Sequence, residues 1–203
     1  MTPTIGILAL QGDFAAHSKA LERVGAASRF VRKASDLERL DGLILPGGES
    51  STLLKFLDQE CLWEPLRGFA ESHPVFGTCA GAILMAEQVE NPSQPSLAVL
   101  PMTVRRNAYG RQLASSIRAL ELDPQLEIGP QAGLPFEAVL IRAPLIVRVA
   151  SEVKVLARLA GHPVLVQFGP MLAGTFHPEL TSDTRVHRYF TQLVSSYNTR
   201  LAG

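Results

Sequence analysis

The chain has 203 residues, of which 46% are hydrophobic, and its 19 Lys and Arg residues balance 19 Asp and Glu residues. This length and composition favour one folded domain, 1–203, with a full hydrophobic core. A net charge near zero, with no basic block, gives no electrostatic support for a nucleic-acid or membrane partner. The first apolar run, IGILAL, is too short for a signal peptide or a membrane span, so we expect a cytoplasmic protein.

Strands and helices alternate in the first half of the sequence. Apolar runs and capping residues predict, in chain order, a strand at 4–11, a helix at 14–25 capped by Asp13, a strand at 28–32, an apolar strand ending at Pro46, a helix at 50–60 opened by Ser50 or Ser51, a strand at 73–76 and a helix at 80–90. This alternation indicates an α/β fold, a single domain with a mainly parallel twisted sheet and helices on both faces. Ligands of such sheets bind at the carboxyl ends of the strands.

The second half is richer in β-type runs separated by Gly and Pro. The runs at 97–120, 136–150 and 153–180 predict antiparallel strands added to the sheet as hairpins. Residues 121–135 are predicted to form a surface loop, and 183–201 a closing helix.

Cys79 stands at a predicted turn between a strand and a helix, within the pentapeptide Gly77-Thr78-Cys79-Ala80-Gly81. This G-x-C-x-G pattern is the thiol counterpart of the G-x-S-x-G nucleophile elbow, in which a sharp turn exposes the nucleophile. The thiol is also placed at a helix N-terminus, which favours a thiolate. The alternative is a buried core cysteine. Cys61 has no glycine turn and is expected to be buried filler.

The base for such a thiol is predicted in the string GTFHPEL. Pro178 pushes His177 away from helical backbone angles, so His177 and Glu179 should lie on one side of an extended segment. The imidazole can then take a proton from Cys79 while the carboxylate orients the ring. The alternative is an edge-of-strand histidine beside a solvated carboxylate. His17 and His187 fall in predicted helices and are expected to be surface or packing residues.

These motifs resemble those of a known family. GTCAGAILMA with TFHPEL is similar to the class I, triad-type glutamine amidotransferases. The strings ILALQGD, LILPGGESSTL, RRNAYGRQ, IRAP and FHPELTSDTRVHRYF resemble the glutaminase subunits of pyridoxal 5′-phosphate synthase within that family. The resemblance covers most of the chain.

The resemblance implies an activity and a partner. Cys79 would attack the side-chain amide of L-glutamine, His177 would protonate the departing ammonia, and Glu179 would complete the triad. The oxyanion would be held by backbone N–H groups of Gly48 and Ala80. The residues implied in glutamine binding are Gly47, Gly48, Glu49, Arg106, Ile141 and Arg142. Ammonia would pass to a (β/α)8-barrel synthase subunit that builds pyridoxal 5′-phosphate, and no cofactor or metal is expected.

Two other functions stay open from the sequence. One is the glutaminase subunit of another amidotransferase, such as imidazole glycerol phosphate synthase. The other is a non-catalytic regulatory module on the same fold. Gln11 and Asp13 end the first predicted strand on the same rim as Cys79, which suggests docking or relay roles. Alternatively, Gln11 satisfies local backbone and Asp13 only caps a helix.

Overall fold

A computed structural model describes residues 2–107 and 115–202. The part of the RRNAYGRQ motif at 108–112 lies outside these residues. The main sheet contains eight strands, which are, in chain order, β1 (Thr4–Leu8), β2 (Ala27–Val31), β3 (Gly42–Leu45), β4 (Val75–Thr78), β8 (Glu121–Leu122), β11 (Lys154–Leu159), β12 (His162–Phe168) and β13 (Met171–Gly174).

The main sheet is parallel in one half and antiparallel in the other. Its spatial order is β2-β1-β3-β4-β13-β12-β11-β8. The pairs from β2 through β13 are parallel, whereas β12, β11 and β8 are added antiparallel to the edge of β13. The predicted α/β class, with antiparallel strands from the second half, is confirmed.

Within the described residues, five α-helices accompany the sheet. They are α1 (Phe14–Arg23), α2 (Ser50–Gln59), α3 (Trp63–Ser72), α4 (Ala80–Met85) and α5 (Arg185–Ala202). Leu21 of α1 and Phe190 of α5 belong to one buried cluster, and Leu53 of α2 and Leu66 of α3 belong to another. Both clusters include residues of the central strands, so the helices cover the two faces of the sheet and bury it, as predicted.

The predicted helix at 80–90 is wrong in its second half. Helix α4 ends at Met85, and residues Ala86–Glu90 form strand β5. Strand β5 pairs with β6 (Leu100–Arg105), which in turn pairs with β10 (Leu145–Val149) in a separate three-stranded sheet. Pairing with β6 overrides the helical composition of this segment. The remaining strands, β7 (Ser115–Ala119) and β9 (Glu137–Ile141), form a two-stranded antiparallel sheet.

Two further segments differ from prediction. Helix α3 was not predicted, although Leu62, Leu66 and Phe69 repeat at helical spacing and Pro65 stands in the first turn, where proline is tolerated. Cys61, expected to be buried, is exposed at the turn before this helix. The 121–135 segment is mostly exposed, as predicted for a surface loop, but it contains β8 and two 3-10 turns, and its Leu126 is fully buried.

Candidate active site

Cys79 occupies a strained turn at the carboxyl end of β4. It is the N-cap residue of α4, with φ 48° and ψ −103°. A positive φ is costly for a residue other than glycine and persists only where surrounding contacts fix it. One such contact is the hydrogen bond from the Cys79 N–H to the carbonyl of Gly174, at 2.8 Å. The predicted turn between strand and helix is therefore present.

The two glycines of the pentapeptide are required by close packing. A Cβ on Gly77 would lie 2.6 Å from the backbone of Gly81, and one on Gly81 would collide with the carbonyl oxygen of Leu45. Helix α4 consequently sits directly against the ends of β3 and β4. This packing positions Cys79 at the rim of the sheet.

His177 reaches Cys79 because their strands are neighbours. Strand β13 pairs in parallel with β4, and Gly174 is aligned with Thr78, so the segments that follow both strands emerge side by side. The N–H of His177 donates to the carbonyl of Val139 at 2.8 Å, which fixes its backbone. The Cys79 and His177 side chains line the same cavity, and Cys79 is among the groups that raise the pKa of His177.

Glu179 holds the other side of the His177 ring. Its Oε1 lies 2.7 Å from Nδ1 of His177, and both side chains are buried. Burial lowers the pKa of His177, but the interactions of the ring with Cys79 and Glu179 outweigh burial and raise that pKa to about 10. The predicted contact between His177 and Glu179 is present. The predicted extended conformation is wrong, because Pro178–Leu180 forms a 3-10 turn that brings the carboxylate back to the ring.

The loop after β3 borders the thiol and the imidazole. A Cβ on Gly47 would collide with the His177 ring and lie 3.1 Å from Cβ of Cys79. The N–H of Gly47 donates to Oγ1 of Thr78 at 3.0 Å. Gly48 has φ 142° and lies against the Gln11 side chain, whose Oε1 accepts the N–H of Glu49 at 3.0 Å. Gln11 thus holds the backbone of this loop.

Helix α2 begins at Ser50, as predicted, but the residue whose side chain caps it is Glu49. Its carboxylate accepts the N–H groups of Ser51, at 3.0 Å, and Thr52, at 2.6 Å. The hydrogen bond from the Thr52 hydroxyl has the largest effect on the pKa of Glu49, and together with these N–H groups it lowers that pKa to about 2. The carboxylate is therefore ionised and satisfies N–H groups that the helix leaves free. Asp13 occupies the N-cap position of α1, but its side chain makes no capping hydrogen bond.

A cavity of about 190 Å³ opens in front of Cys79 and His177. Five of the residues predicted to bind substrate or oxyanion line it, which are Gly48, Glu49, Arg106, Ile141 and Arg142. Asp13, Ser50, Ile83, Asn107 and Pro144 complete the lining. Three of the predicted site residues do not line the cavity. They are Gly47, Ala80 and Glu179.

The three substrate-binding candidates from the second half approach the cavity from the small sheets. Arg106 follows β6, and its Nη2 donates to Oγ of Ser51 at 3.3 Å. Ile141 ends β9, and its carbonyl oxygen lies 3.9 Å from Sγ of Cys79. Arg142 has φ 45° and is exposed. The cavity therefore has the Cys79 end of the sheet as its floor and two guanidinium groups at its edge.

A polar cluster that no sequence pattern indicated lies behind the triad. His17 and His187, expected to be surface or packing residues, are fully buried and hydrogen-bonded to each other. His17 also lies 3.3 Å from Oγ1 of Thr78. His17, His187 and Thr78 come together because α1, α5 and β4 pack against one another, and no local sequence pattern predicts these contacts.

Two other properties concern the described residues alone. Within 2–107 and 115–202, no three His, Cys, Asp or Glu side chains are grouped so as to hold a metal ion. No helix in the same ranges combines the length and apolar character needed to cross a membrane.

Comparisons with known proteins agree on one family. Residues 7–196 match the model of the SNO glutamine amidotransferase family. The chain is 53% identical to the pyridoxal 5′-phosphate synthase subunit PdxT of Koribacter versatilis, covering 96% of this chain and 97% of that protein. It is 48% identical to the PdxT subunit of Thermus thermophilus, covering 95% and 98% respectively.

Solved structures give the same result for the fold. A crystal structure of a glutamine amidotransferase superposes with a TM-score of 0.84 at 47% identity, covering 94% of this chain and 98% of that one. The structure of PurLQS from Thermotoga maritima, at 15% identity, has a TM-score of 0.65 over 99% of this chain and 100% of that one. Because the identity is only 15%, the similarity to PurLQS concerns the fold alone.

Proposed function

Because the chain belongs to the SNO glutamine amidotransferase family, we propose that it is the glutaminase subunit of a pyridoxal 5′-phosphate synthase. It hydrolyses the side-chain amide of L-glutamine to glutamate and ammonia and supplies the ammonia to a synthase subunit. The observation that carries the proposal is the buried assembly of Cys79, His177 and Glu179, of which Cys79 and His177 line one cavity and Glu179 is hydrogen-bonded to His177 behind them.

In the first step, Cys79 is the nucleophile and His177 is the base. With Nδ1 of His177 bonded to Glu179, Nε2 is the nitrogen left to receive the thiol proton. The pKa of His177, raised to about 10, favours the protonated ring once the proton has moved. The sulfur then bonds to the amide carbon of glutamine, and the carbonyl oxygen becomes an oxyanion.

Two backbone N–H groups are proposed to stabilise that oxyanion. The N–H of Ala80 is in the first turn of α4, where a helix has no acceptor of its own for it. The second donor is the N–H of Gly48, in the loop that borders Cys79. Donors fixed in place before the reaction lower the barrier more than donors that must reorient.

The intermediate then collapses and is hydrolysed. His177 gives its proton to the amide nitrogen, the carbon–nitrogen bond breaks, and ammonia leaves behind a glutamyl thioester on Cys79. Water next attacks the thioester while His177 takes one of its protons. The carbon–sulfur bond breaks, glutamate is released, and the proton returns to the sulfur.

The glutamine itself is proposed to bind through charged groups at the edge of the cavity. Glu49 is ionised and suits the α-amino group of the substrate. Arg106 and Arg142 suit its α-carboxylate, because a guanidinium group recognises a carboxylate in two-point fashion. Gly47, Gly48 and Ile141 supply backbone around the reacting amide.

The partner is proposed to be a (β/α)8-barrel synthase subunit that receives the ammonia. This proposal is supported by the names of the PdxT relatives, each a subunit of pyridoxal 5′-phosphate synthase. These names also favour it over the glutaminase subunit of another amidotransferase, and the complete triad argues against a non-catalytic module. The proposal also includes that residues 1–203 form a single domain and that the protein acts in the cytoplasm.

Steady-state ammonia release tests this function. Wild type and Cys79→Ser are each assayed with L-glutamine, alone and with the synthase subunit of the same organism. We expect ammonia from wild type with the synthase and none above background from Cys79→Ser, because a serine hydroxyl is a far weaker nucleophile beside the same imidazole. Equal release by both proteins would contradict the proposal.

A further inference from the structure

Two buried histidines stand behind the triad. Nδ1 of His17 in α1 lies 3.0 Å from Nε2 of His187 in α5, and both side chains are fully buried. On its other side, Nε2 of His17 lies 3.3 Å from Oγ1 of Thr78 and 3.5 Å from Oε2 of Glu179. Oε2 of Glu179 is completely buried and makes no hydrogen bond among the described residues, so Nε2 of His17, at 3.5 Å, lies just beyond hydrogen-bond distance of a free acceptor.

Both rings are neutral. Burial, followed by His187 and His177, holds the pKa of His17 well below its ordinary value. Burial, with a smaller contribution from Arg23, lowers the pKa of His187 to about 3. Each ring therefore carries one N–H, and the pair has two N–H groups distributed over four nitrogens.

Only two arrangements place one proton between the rings. In the first, both protons are on Nε2, so that His187 donates to His17 and His17 donates toward Thr78 and Glu179. In the second, both protons are on Nδ1, which leaves the Nδ1–H of His187 buried with no acceptor among the described residues. The second arrangement also turns the lone pair of His17 toward the Glu179 carboxylate.

The first arrangement has the lower free energy. An unsatisfied buried N–H costs about 1–3 kcal/mol, and a lone pair facing a buried carboxylate adds repulsion. A carboxylate is also a stronger acceptor than a hydroxyl, so an N–H shared between Thr78 and Glu179 favours the carboxylate.

We propose that His17 is a positioning residue of the triad, donating its Nε2–H to the second oxygen of Glu179 while His187 holds His17 in that tautomer. Glu179 is then held at both oxygens, with Oε1 on His177 and Oε2 on His17. The carboxylate cannot rotate away from His177 without losing a buried hydrogen bond. The predicted effect of His17 on catalysis rests on the proposed function, whereas the predicted tautomer and hydrogen bond do not.

The tautomer is measured directly by nitrogen NMR of the wild-type chain labelled with ¹⁵N-histidine. The chain has five histidines, so the ring signals are few, and His17→Gln and His187→Gln assign the two that matter. We expect both rings to carry their proton on Nε2. A proton on Nδ1 of His17 would overturn the proposal, and this measurement requires no glutaminase activity.

The role in catalysis is measured with paired variants in the presence of the synthase subunit. His17→Leu removes the donor, and we expect kcat to fall on the order of tenfold or more, with KM for glutamine changed less than about twofold. His17→Gln keeps an N–H at similar reach and should recover most of kcat. The matched controls are His162→Leu and His162→Gln, at an exposed histidine, which should both behave as wild type.

The outcomes separate this inference from the proposed function. Wild-type kcat in His17→Leu, or equal losses in His17→Leu and His17→Gln, would overturn the positioning role while leaving the glutaminase intact. If His17→Leu does not fold, the positioning role is judged from the tautomer of His17 in wild type and from the kcat of His17→Gln. A large loss of kcat in His17→Gln would then overturn the role. An inactive wild type would instead contradict the proposed function.

Discussion

Gly12 lies against the carbonyl oxygen of Gly47, so closely that a Cβ on Gly12 would collide with that oxygen. Gly12 therefore determines where the Gly47 carbonyl points. Because the peptide bond is planar and trans, it also determines the direction of the Gly48 N–H, which is the proposed oxyanion donor. A residue in the loop after β1 thus controls the proposed oxyanion-binding peptide after β3.

Replacing Gly12 with Ala should lower kcat as well as stability. The new methyl group displaces the Gly47 carbonyl and turns the Gly48 N–H, and loss of one oxyanion donor lowers kcat on the order of 10²-fold. The matched control is Gly161→Ala, at a glycine with φ 81° against 80° for Gly12 but with open space around it. Gly161→Ala should lose on the order of 1 kcal/mol of unfolding free energy from its positive φ alone. Gly12→Ala should lose more, because its methyl group also displaces backbone, and only Gly12→Ala should lose kcat. Similar kcat values for the two variants would contradict this account.

Glu179→Gln should lower kcat for glutamine hydrolysis on the order of 10²- to 10⁴-fold. The amide still fits, but it does not stabilise imidazolium at His177, with which Glu179 makes its 2.7 Å hydrogen bond. KM for glutamine should change less than about twofold, because Glu179 does not line the cavity. The control is Glu71→Gln at an exposed site in α3. A selective rise in KM would instead identify Glu179 as a substrate ligand.

His177 should make the stability of the fold depend on pH. Its folded-state pKa is raised from 6.5 to about 10, so its contribution is fully present below pH 6.5 and is lost as the pH rises through 10. We therefore expect the difference in unfolding free energy between wild type and His177→Gln to shrink over this window. One pK unit corresponds to about 1.4 kcal/mol, so the change should exceed that amount.

Chemical denaturation at a series of pH values measures this difference. The control is His162→Gln, at an exposed histidine, whose curve should run parallel to that of wild type. A constant difference between wild type and His177→Gln from pH 6.5 to 10 would show that the buried ring does not hold its proton as described.

Gln11 should couple the loop at 47–49 to the synthase. Its Oε1 holds the Glu49 N–H, and its amide lies against Gly48, so Gln11→Ala frees the loop that carries the proposed oxyanion donor. We expect the isolated wild type to be slow and the synthase to stimulate it by favouring one loop orientation. Stimulation should fall on the order of tenfold in Gln11→Ala and be kept in the control Gln59→Ala, at an exposed site.

Two results would change this interpretation. Equal rates for free and complexed wild type would remove the idea of gating by the partner. Unchanged stimulation in Gln11→Ala would leave Gln11 with its observed structural role only, as acceptor of the Glu49 N–H.

Local sequence patterns were sufficient for the parts of the site that depend on short-range geometry. The glycines around Cys79 place its turn where the pattern predicted it, and His177 and Glu179 are in contact as predicted, although through a 3-10 turn instead of an extended segment. Parallel pairing of β4 with β13 then brings the two turns together, which follows from the general rule on the ends of parallel strands.

Features that depend on distant contacts were missed or wrong. Residues 86–90 have helical composition but pair with β6. Glu49 was missed as the cap of α2 because it is followed by two serines, a residue type that is preferred at the N-cap position. The pairing of His17 with His187 spans 170 positions, and each histidine lies in an ordinary amphipathic helix. Such contacts require the packed structure.

The most direct test of the central claim is the site at which a glutamine-mimicking electrophile attaches. The chain has two cysteines, and the exposed Cys61 is an internal control for general thiol reactivity, whereas Cys79 is buried at the floor of the cavity. Intact-mass analysis and peptide mapping after incubation should show one adduct, on Cys79, that excess L-glutamine prevents and that Cys79→Ser lacks. Attachment to Cys61 alone, or no adduct in the presence of the synthase subunit, would contradict the assignment of Cys79 as the nucleophile of a glutaminase.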